Sequence, residues 1–240
     1  MKLTFRDVYV AYPGTSTPAL SGVSVEIVAG QRVALVGRNG SGKSTLMLTA
    51  NGILQPQRGT VLLDGQPVRY DRRGIAELRR QVGVVFQNPD DQLFSASVYQ
   101  DLSLGPLNMG LSQAEARERV LRVAAQCGLS DLLHRPTHSL SGGEKARVAL
   151  AGVLALSPRF LFVDELINDL DPWMRKRIVR LLCELADAGC AVVLATHDWA
   201  LVRAWAQHVI WLEAGRVLRQ GQPSAVLAGP ECSDLESAPC

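Results

Sequence analysis

Apolar and polar positions change rhythm repeatedly along this chain, and each rhythm predicts an element. Leu3, Phe5, Val8, Val10 and Tyr12 form a broadly alternating pattern, which predicts a half-buried strand ended by Pro13-Gly14. Residues 22–28 alternate again. Ala29-Gly30 then turns the chain into Arg32-Val33-Ala34-Leu35-Val36, an apolar run of the kind found in buried parallel strands. Residues 60–65 predict a strand and turn, 74–80 a short helix, and 82–86 a strand that delivers Gln87. From about 95 to 139 the period becomes that of amphipathic helices. Within it, 111–127 reads as one helix, opened by Ser112 and Glu115 as a capping box. Alternation of strand and helix then resumes. Helices are expected at 141–156, 171–188 and 198–207, and strands at 160–163, 190–196 and 209–212, with two short elements after them.

This order predicts an α/β fold. An N-terminal antiparallel β-subdomain leads into a core with a mixed sheet, and a helical subdomain at about 95–157 is inserted in that core. Residues 1–228 are expected to form one domain and 229–240 a polar, frayed tail. Pro89 and Gly105-Pro106 are expected to break the helical pattern of the insertion. That leaves Leu93, Phe94 and Leu107 on an irregular surface, either as a docking site or as the insertion's own core.

Composition narrows the function. The chain has 240 residues, a formal net charge of +2, 47% hydrophobic and 20% charged residues, which gives no electrostatic case for nucleic acid. The basic clusters Arg69, Arg72, Arg73, Arg79, Arg80 and Arg175, Lys176, Arg177, Arg180 read as solvated helix faces. Cys127, Cys183, Cys190, Cys232 and Cys240 are scattered and odd in number, which favours reduced thiols over disulfides or a zinc site. His134 and His138 flank Pro136 and read as loop residues. The N-terminus lacks an apolar signal-peptide core, and no apolar run approaches the roughly 20 residues that span a bilayer. Work at a membrane would require another protein to hold the chain there.

The most specific stretch is Gly37-Arg38-Asn39-Gly40-Ser41-Gly42-Lys43-Ser44-Thr45, between a predicted strand and a predicted helix. It matches the P-loop pattern at every fixed position. Gly40 and Gly42 let the backbone curl so that successive N–H groups face an anion, and the helix dipole adds positive charge. Lys43 suits the β- and γ-phosphates of ATP, and the Ser44 hydroxyl is a hard ligand for Mg²⁺. The strand at 160–163 ends in Asp164-Glu165. Asp164 fits a second Mg²⁺ contact, and Glu165 fits a general base acting on water. Leu140-Ser141-Gly142-Gly143-Glu144 is either a second anion-binding nest or a simple helix cap.

With these motifs in this order, the chain resembles the ABC transporter ATPase family, whose signature is matched by Leu140 to Glu144. The resemblance spans nearly the whole chain. It implies that Ser141, Gly142, Gly143 and Glu144 contact the γ-phosphate held by the P-loop of another subunit, so that two ATP molecules lie within a head-to-tail dimer. That dimer is a homodimer or a pseudo-dimer with a paralogue. The same resemblance assigns Tyr12 to adenine stacking and Gln87 to the Q-loop that senses Mg²⁺ and γ-phosphate. It further assigns His197 to the γ-phosphate and Asp171 to a loop crossing the dimer interface. One departure stands out. Where the family usually has proline, threonine, two small residues and leucine, this chain has Leu166-Ile167-Asn168-Asp169-Leu170. Asp169 is expected to add negative charge there and to tune closure or hydrolysis.

Residues 86–94 and 101–111 resemble, more narrowly, the ATPases of energy-coupling factor importers, particularly those for cobalt and nickel. The implied function is an ATP-driven motor on the cytoplasmic face of the cell membrane, receiving membrane-embedded subunits through the Q-loop and helical-subdomain groove. Biotin or another vitamin is the alternative cargo. A soluble ABC ATPase acting on nucleic acid and a non-hydrolysing nucleotide-gated scaffold are the competing classes. The first lacks its usual coiled coil or second ATPase core here. The second is opposed by Glu165 and His197.

Overall fold

The computed structural model describes residues 1–15 and 17–228, without the side chains of Asn168 and Asp169. The tail expected at 229–240, with Cys232 and Cys240, lies outside the described residues, as does the side-chain charge of Asp169. Strands β1 (Lys2–Val10), β2 (Leu20–Val28) and β3 (Arg32–Val36) lead to helix α1 (Lys43–Ala50). Next come β4 (Arg58–Leu63), β5 (Gln66–Pro67), α2 (Arg72–Gln81) and β6 (Val82–Val85). Three helices come after β6, namely α3 (Val98–Asn108), α4 (Gln113–Cys127) and α5 (Gly142–Leu154). The chain continues with β7 (Phe160–Asp164), α6 (Pro172–Asp187), β8 (Ala191–Ala195) and α7 (Trp199–Trp205). It closes with β9 (His208–Glu213), β10 (Arg216–Gly221) and α8 (Pro223–Val226).

Two sheets form. One is antiparallel, in the order β2-β1-β4-β5, and the other has six strands in the order β10-β9-β3-β8-β7-β6. In the larger sheet only the β9–β10 pair is antiparallel, so the sheet is mixed as expected. Its parallel strands are apolar without interruption because both faces are covered. Phe160 and Phe162 of β7 face a core shared with Leu3, Phe5 and Ile27 of the antiparallel sheet. Leu161 and Val163 face the opposite core with Leu102, Val120 and Leu150 of the inserted helices. The two-residue period of a strand is therefore present, but both phases are hydrophobic.

The same register places the chemistry. Leu35 of β3 and Asp164 of β7 both pair with Ala195 of β8. The C-terminal ends of these strands therefore lie side by side, and the loops leaving them gather at one edge, the usual location of a ligand crevice in such sheets.

Two expectations for the insertion are corrected. Gly105-Pro106 does not break the helix, because α3 runs through it to Asn108. Packing overrides propensity here: Pro106 is buried with Val98 and Leu102, and a Cβ on Gly105 would come within 2.5 Å of Leu156 Cδ2. Leu93 is only partly buried and packs against the large core, whereas Phe94 is 79% exposed and Leu107 43%. Among the described cysteines, Cys127, Cys183 and Cys190 are free thiols. Burial pushes Cys127 up to about 12 and Cys190 up to about 11, which leaves both unreactive.

Candidate functional site

The loop after β3 is shaped by steric need. Gly37 has φ of 147° and Gly42 has φ of 105°, backbone conformations that favour glycine. A Cβ at Gly37 would overlap the Leu212 carbonyl of neighbouring β9, and one at Gly42 would lie 2.7 Å from the Ala19 carbonyl. Gly40 also has positive φ, of 79°, but its Cβ would meet open space. The tight approach at Gly37 depends on which strand lies beside β3, so the local sequence carries no signal for it.

Helix α1 starts at Lys43 with no side-chain cap and no acidic residue in its first turn, so no side chain of that turn offsets its N-terminal dipole. The buried Ser41 Oγ has no hydrogen-bond partner. Lys43 Nζ donates to the Gly37 carbonyl at 2.8 Å and the Arg38 carbonyl at 3.3 Å. Burial lowers the Lys43 ammonium below its usual value, opposed by Glu165 and Asp164. A near-buried cation, an orphaned hydroxyl and an uncapped helix start together fit a polyphosphate.

Opposite this loop sit the carboxylates. The Ser44 hydroxyl donates to Asp164 Oδ2 at 2.6 Å. Burial is the largest influence on Asp164 and raises its carboxyl above the ordinary value, while the Ser44 hydrogen bond opposes that shift and Glu165 adds to it. Glu165 Oε1 lies 3.9 Å from Lys43 Nζ and 2.7 Å from His197 Nε2. The Gln87 amide donates to Glu165 Oε2 at 3.3 Å. Glu165 itself has φ of 50°, a strained value for a non-glycine residue, and its N–H donates to the Ala195 carbonyl at 3.2 Å. Side chains from three other segments of the chain thus converge on one carboxylate.

The donor set of Ser44, Asp164 and Gln87 is made of hard oxygens and fits Mg²⁺, which keeps several waters and shares its ligands with substrate phosphates. Among the described residues, no cluster of three or more His, Cys, Asp or Glu forms a fuller metal cage. A cavity of about 330 Å³ joins these groups and is also lined by Tyr12 and Ala19. The Tyr12 hydroxyl lies 3.2 Å from Thr45 Oγ1, and the residue is 40% exposed. Arg38 and Asn39 are exposed at the loop tip. Ala19, whose residue type announces no chemistry, was missed by sequence reasoning.

Ser141 to Glu144 and Asp171 do not line this cavity. Ser141 caps α5: its Oγ accepts from the Glu144 N–H at 3.3 Å, and its own N–H donates to Glu144 Oε2 at 2.7 Å. Gly142 has no positive φ, and a Cβ there would meet nothing within 4 Å. Asp171 caps α6 by accepting from the N–H groups of Trp173 and Met174. A separate cavity of about 590 Å³ runs along α3 from Ser95 to Leu107 and reaches Ala116 of α4. No described helix is long and apolar enough to cross a membrane.

Known proteins are similar to this chain in sequence and in fold. Residues 20–168 match the model of the ABC transporter family. The energy-coupling factor transporter ATP-binding protein EcfA of Methanothermobacter thermautotrophicus is 42% identical over 229 residues, which cover 95% of this chain and 73% of that protein. EcfA2 of Clostridium perfringens is 45% identical over 216 residues, or 90% of this chain and 76% of that one. The solved structure of cbiO1 from Clostridium perfringens, described as part of the ABC transporter complex cbiONQ, superposes with a TM-score of 0.83 at 42% identity, covering 96% of this chain and 92% of its own. A dimeric ATP-binding cassette in a post-hydrolysis state, bound to ADP and Pi, superposes with a TM-score of 0.84 at 28% identity, covering 92% of this chain and 98% of its own. By sequence and by fold, this chain belongs to the ABC transporter family, as an ATP-hydrolysing subunit of the energy-coupling factor type.

Proposed function

We propose that the chain is the motor subunit of an energy-coupling factor importer for cobalt or nickel ions, working as two copies that share two ATP sites. The cbiO1 likeness supports this cargo over biotin or another vitamin. The carrying observation is the convergence of Lys43, Gln87 and His197 on Glu165. Lys43 neutralises phosphate charge, Tyr12 stacks on adenine, and Gly37 to Thr45 wrap the phosphates. Ser44, Asp164 and Gln87 would hold Mg²⁺, which supplies further charge neutralisation. Glu165 removes the proton of the attacking water as general base, and His197 orients Glu165 and the γ-phosphate.

Gly142 supports the two-copy reading. Its own chain gives it no steric reason to be glycine, so the bare backbone suits an approach from outside. Ser141 to Glu144 and Asp171 then act on the site of the second copy. The groove beside α3, with exposed Phe94 and Leu107, suits membrane-embedded subunits at the cytoplasmic face. The test is Glu165→Gln with ATP and Mg²⁺. This variant binds nucleotide without completing hydrolysis, so it accumulates as a dimer in size-exclusion chromatography. Elution as a monomer at saturating ATP contradicts the proposal.

A further inference from the structure

Asp171 and His197 lie at the starts of two different helices, and one ion pair joins those helices. Arg175 sits one turn into α6, with its N–H donating to the Asp171 carbonyl at 2.8 Å. Its guanidinium pairs with Asp198 Oδ2. Asp198 is the residue after His197, and its other oxygen caps α7 by accepting from the Leu201 N–H at 2.9 Å. The Asp198 N–H is held in turn by Thr196 Oγ1 at 3.1 Å. His197 is 44% exposed and touches Glu165. An unbroken path therefore runs from Asp171 through Arg175, Asp198 and His197 to Glu165.

The pair is partly exposed, at 34% for Arg175 and 29% for Asp198, and such pairs add little to stability. Its geometric effect is larger, because it ties two helix starts that otherwise come from separate loops. We propose that Arg175 and Asp198 form a strut that moves His197 with Asp171, making both positioning residues that link hydrolysis in one copy to engagement by the other. This rests on the two-copy reading above. Closure that displaces Asp171 shifts α6 as a rigid helix. Arg175 then carries the start of α7, and with it His197, into register with Glu165.

The test uses the full chain with Asp198→Asn, Arg175→Met and the double variant. Asn caps a helix as well as Asp does, so Asp198→Asn removes the charge and keeps α7 intact. Each single variant is expected to keep the wild-type Tm and to bind ATP within about twofold of wild type, while kcat falls about tenfold and the Hill coefficient for ATP drops from near 2 toward about 1. The double variant is expected to be no worse than either single, the signature of one shared interaction. Additive losses, unchanged kcat, or a lower kcat at an unchanged Hill coefficient would overturn the strut. Failure of the two-copy reading looks different. The wild-type rate per chain would then not depend on protein concentration, and Glu165→Gln would stay monomeric.

Discussion

Helices α4 and α5 belong to the same insertion and begin in the same way. In α4 the Ser112 N–H donates to Glu115 Oε2 at 2.8 Å, and Ser112 Oγ accepts from the Glu115 N–H at 3.3 Å. In α5 the matching distances for Ser141 and Glu144 are 2.7 Å and 3.3 Å. As caps the two are equivalent. They differ in the two residues after the serine, which are Gln113-Ala114 in α4 and Gly142-Gly143 in α5. Glycine is a poor choice at a helix start that needs no special backbone, and Gly142 has ordinary φ and empty space where a Cβ would be. Capping therefore explains Ser141 and Glu144 but not Gly142. Gly142 is the residue on which the proposed two-copy site rests.

A side chain placed in that empty space separates the two helix starts most widely. Gly142→Val is expected to lower kcat about 100-fold, the scale of losing one phosphate-stabilising contact, with Tm unchanged. Gln113→Val is expected to leave the steady-state ATPase rate at the wild-type level. A similar loss in both variants would mean that the two helix starts are equivalent in function as well as in geometry. A smaller effect separates the serines. Ser112→Ala and Ser141→Ala should each lose about 1 kcal/mol of stability in denaturant titration. Only Ser141→Ala should also slow ATP turnover, by about tenfold.

The smallest effect, a shift in Tm, concerns the other half of the site. Asp164 is a buried carboxyl whose folded value lies above its ordinary 3.8. A raised value means that the folded chain prefers the protonated form, so the stability gained from that proton is present at low pH and lost as pH rises through the folded value. Asp164→Asn keeps an acceptor for Ser44 and removes the buried charge. It is therefore expected to raise the Tm of the nucleotide-free chain at pH 7, with the gain fading at acid pH, while ATP turnover is lost. Equal Tm for the two proteins at pH 7 would show that burial does not strain this carboxylate. Such strain is common where a site is built for chemistry rather than for the resting fold.

Much of this was legible in the sequence. Gly37 to Thr45, Asp164-Glu165 and Leu140 to Glu144 are local patterns, and their order among apolar runs implies the mixed sheet. The features that were not legible depend on neighbours far along the chain. Gly37 is constrained by Leu212, and α3 continues through Pro106 because Leu156 and the large core lie beneath it. The Arg175–Asp198 pair joins two segments that each read as an ordinary helix start. Leu93 and Phe94 are adjacent and equally apolar, yet one packs inward and the other is exposed.

If Ser141 and its glycines complete a site on a second copy, a bulky cation at that position must block assembly without touching the nucleotide site of its own chain. Ser141→Arg, and Ser112→Arg as its control, are introduced into the Glu165→Gln chain. ATP affinity and ATP-induced dimerisation are then read on the same samples. Both double variants are expected to bind ATP as the parent does, and only the chain with Ser141→Arg is expected to fail to dimerise. If Ser141→Arg instead weakens ATP binding by the isolated monomer, or leaves the dimer intact, Ser141 does not act across the interface and the shared site is contradicted.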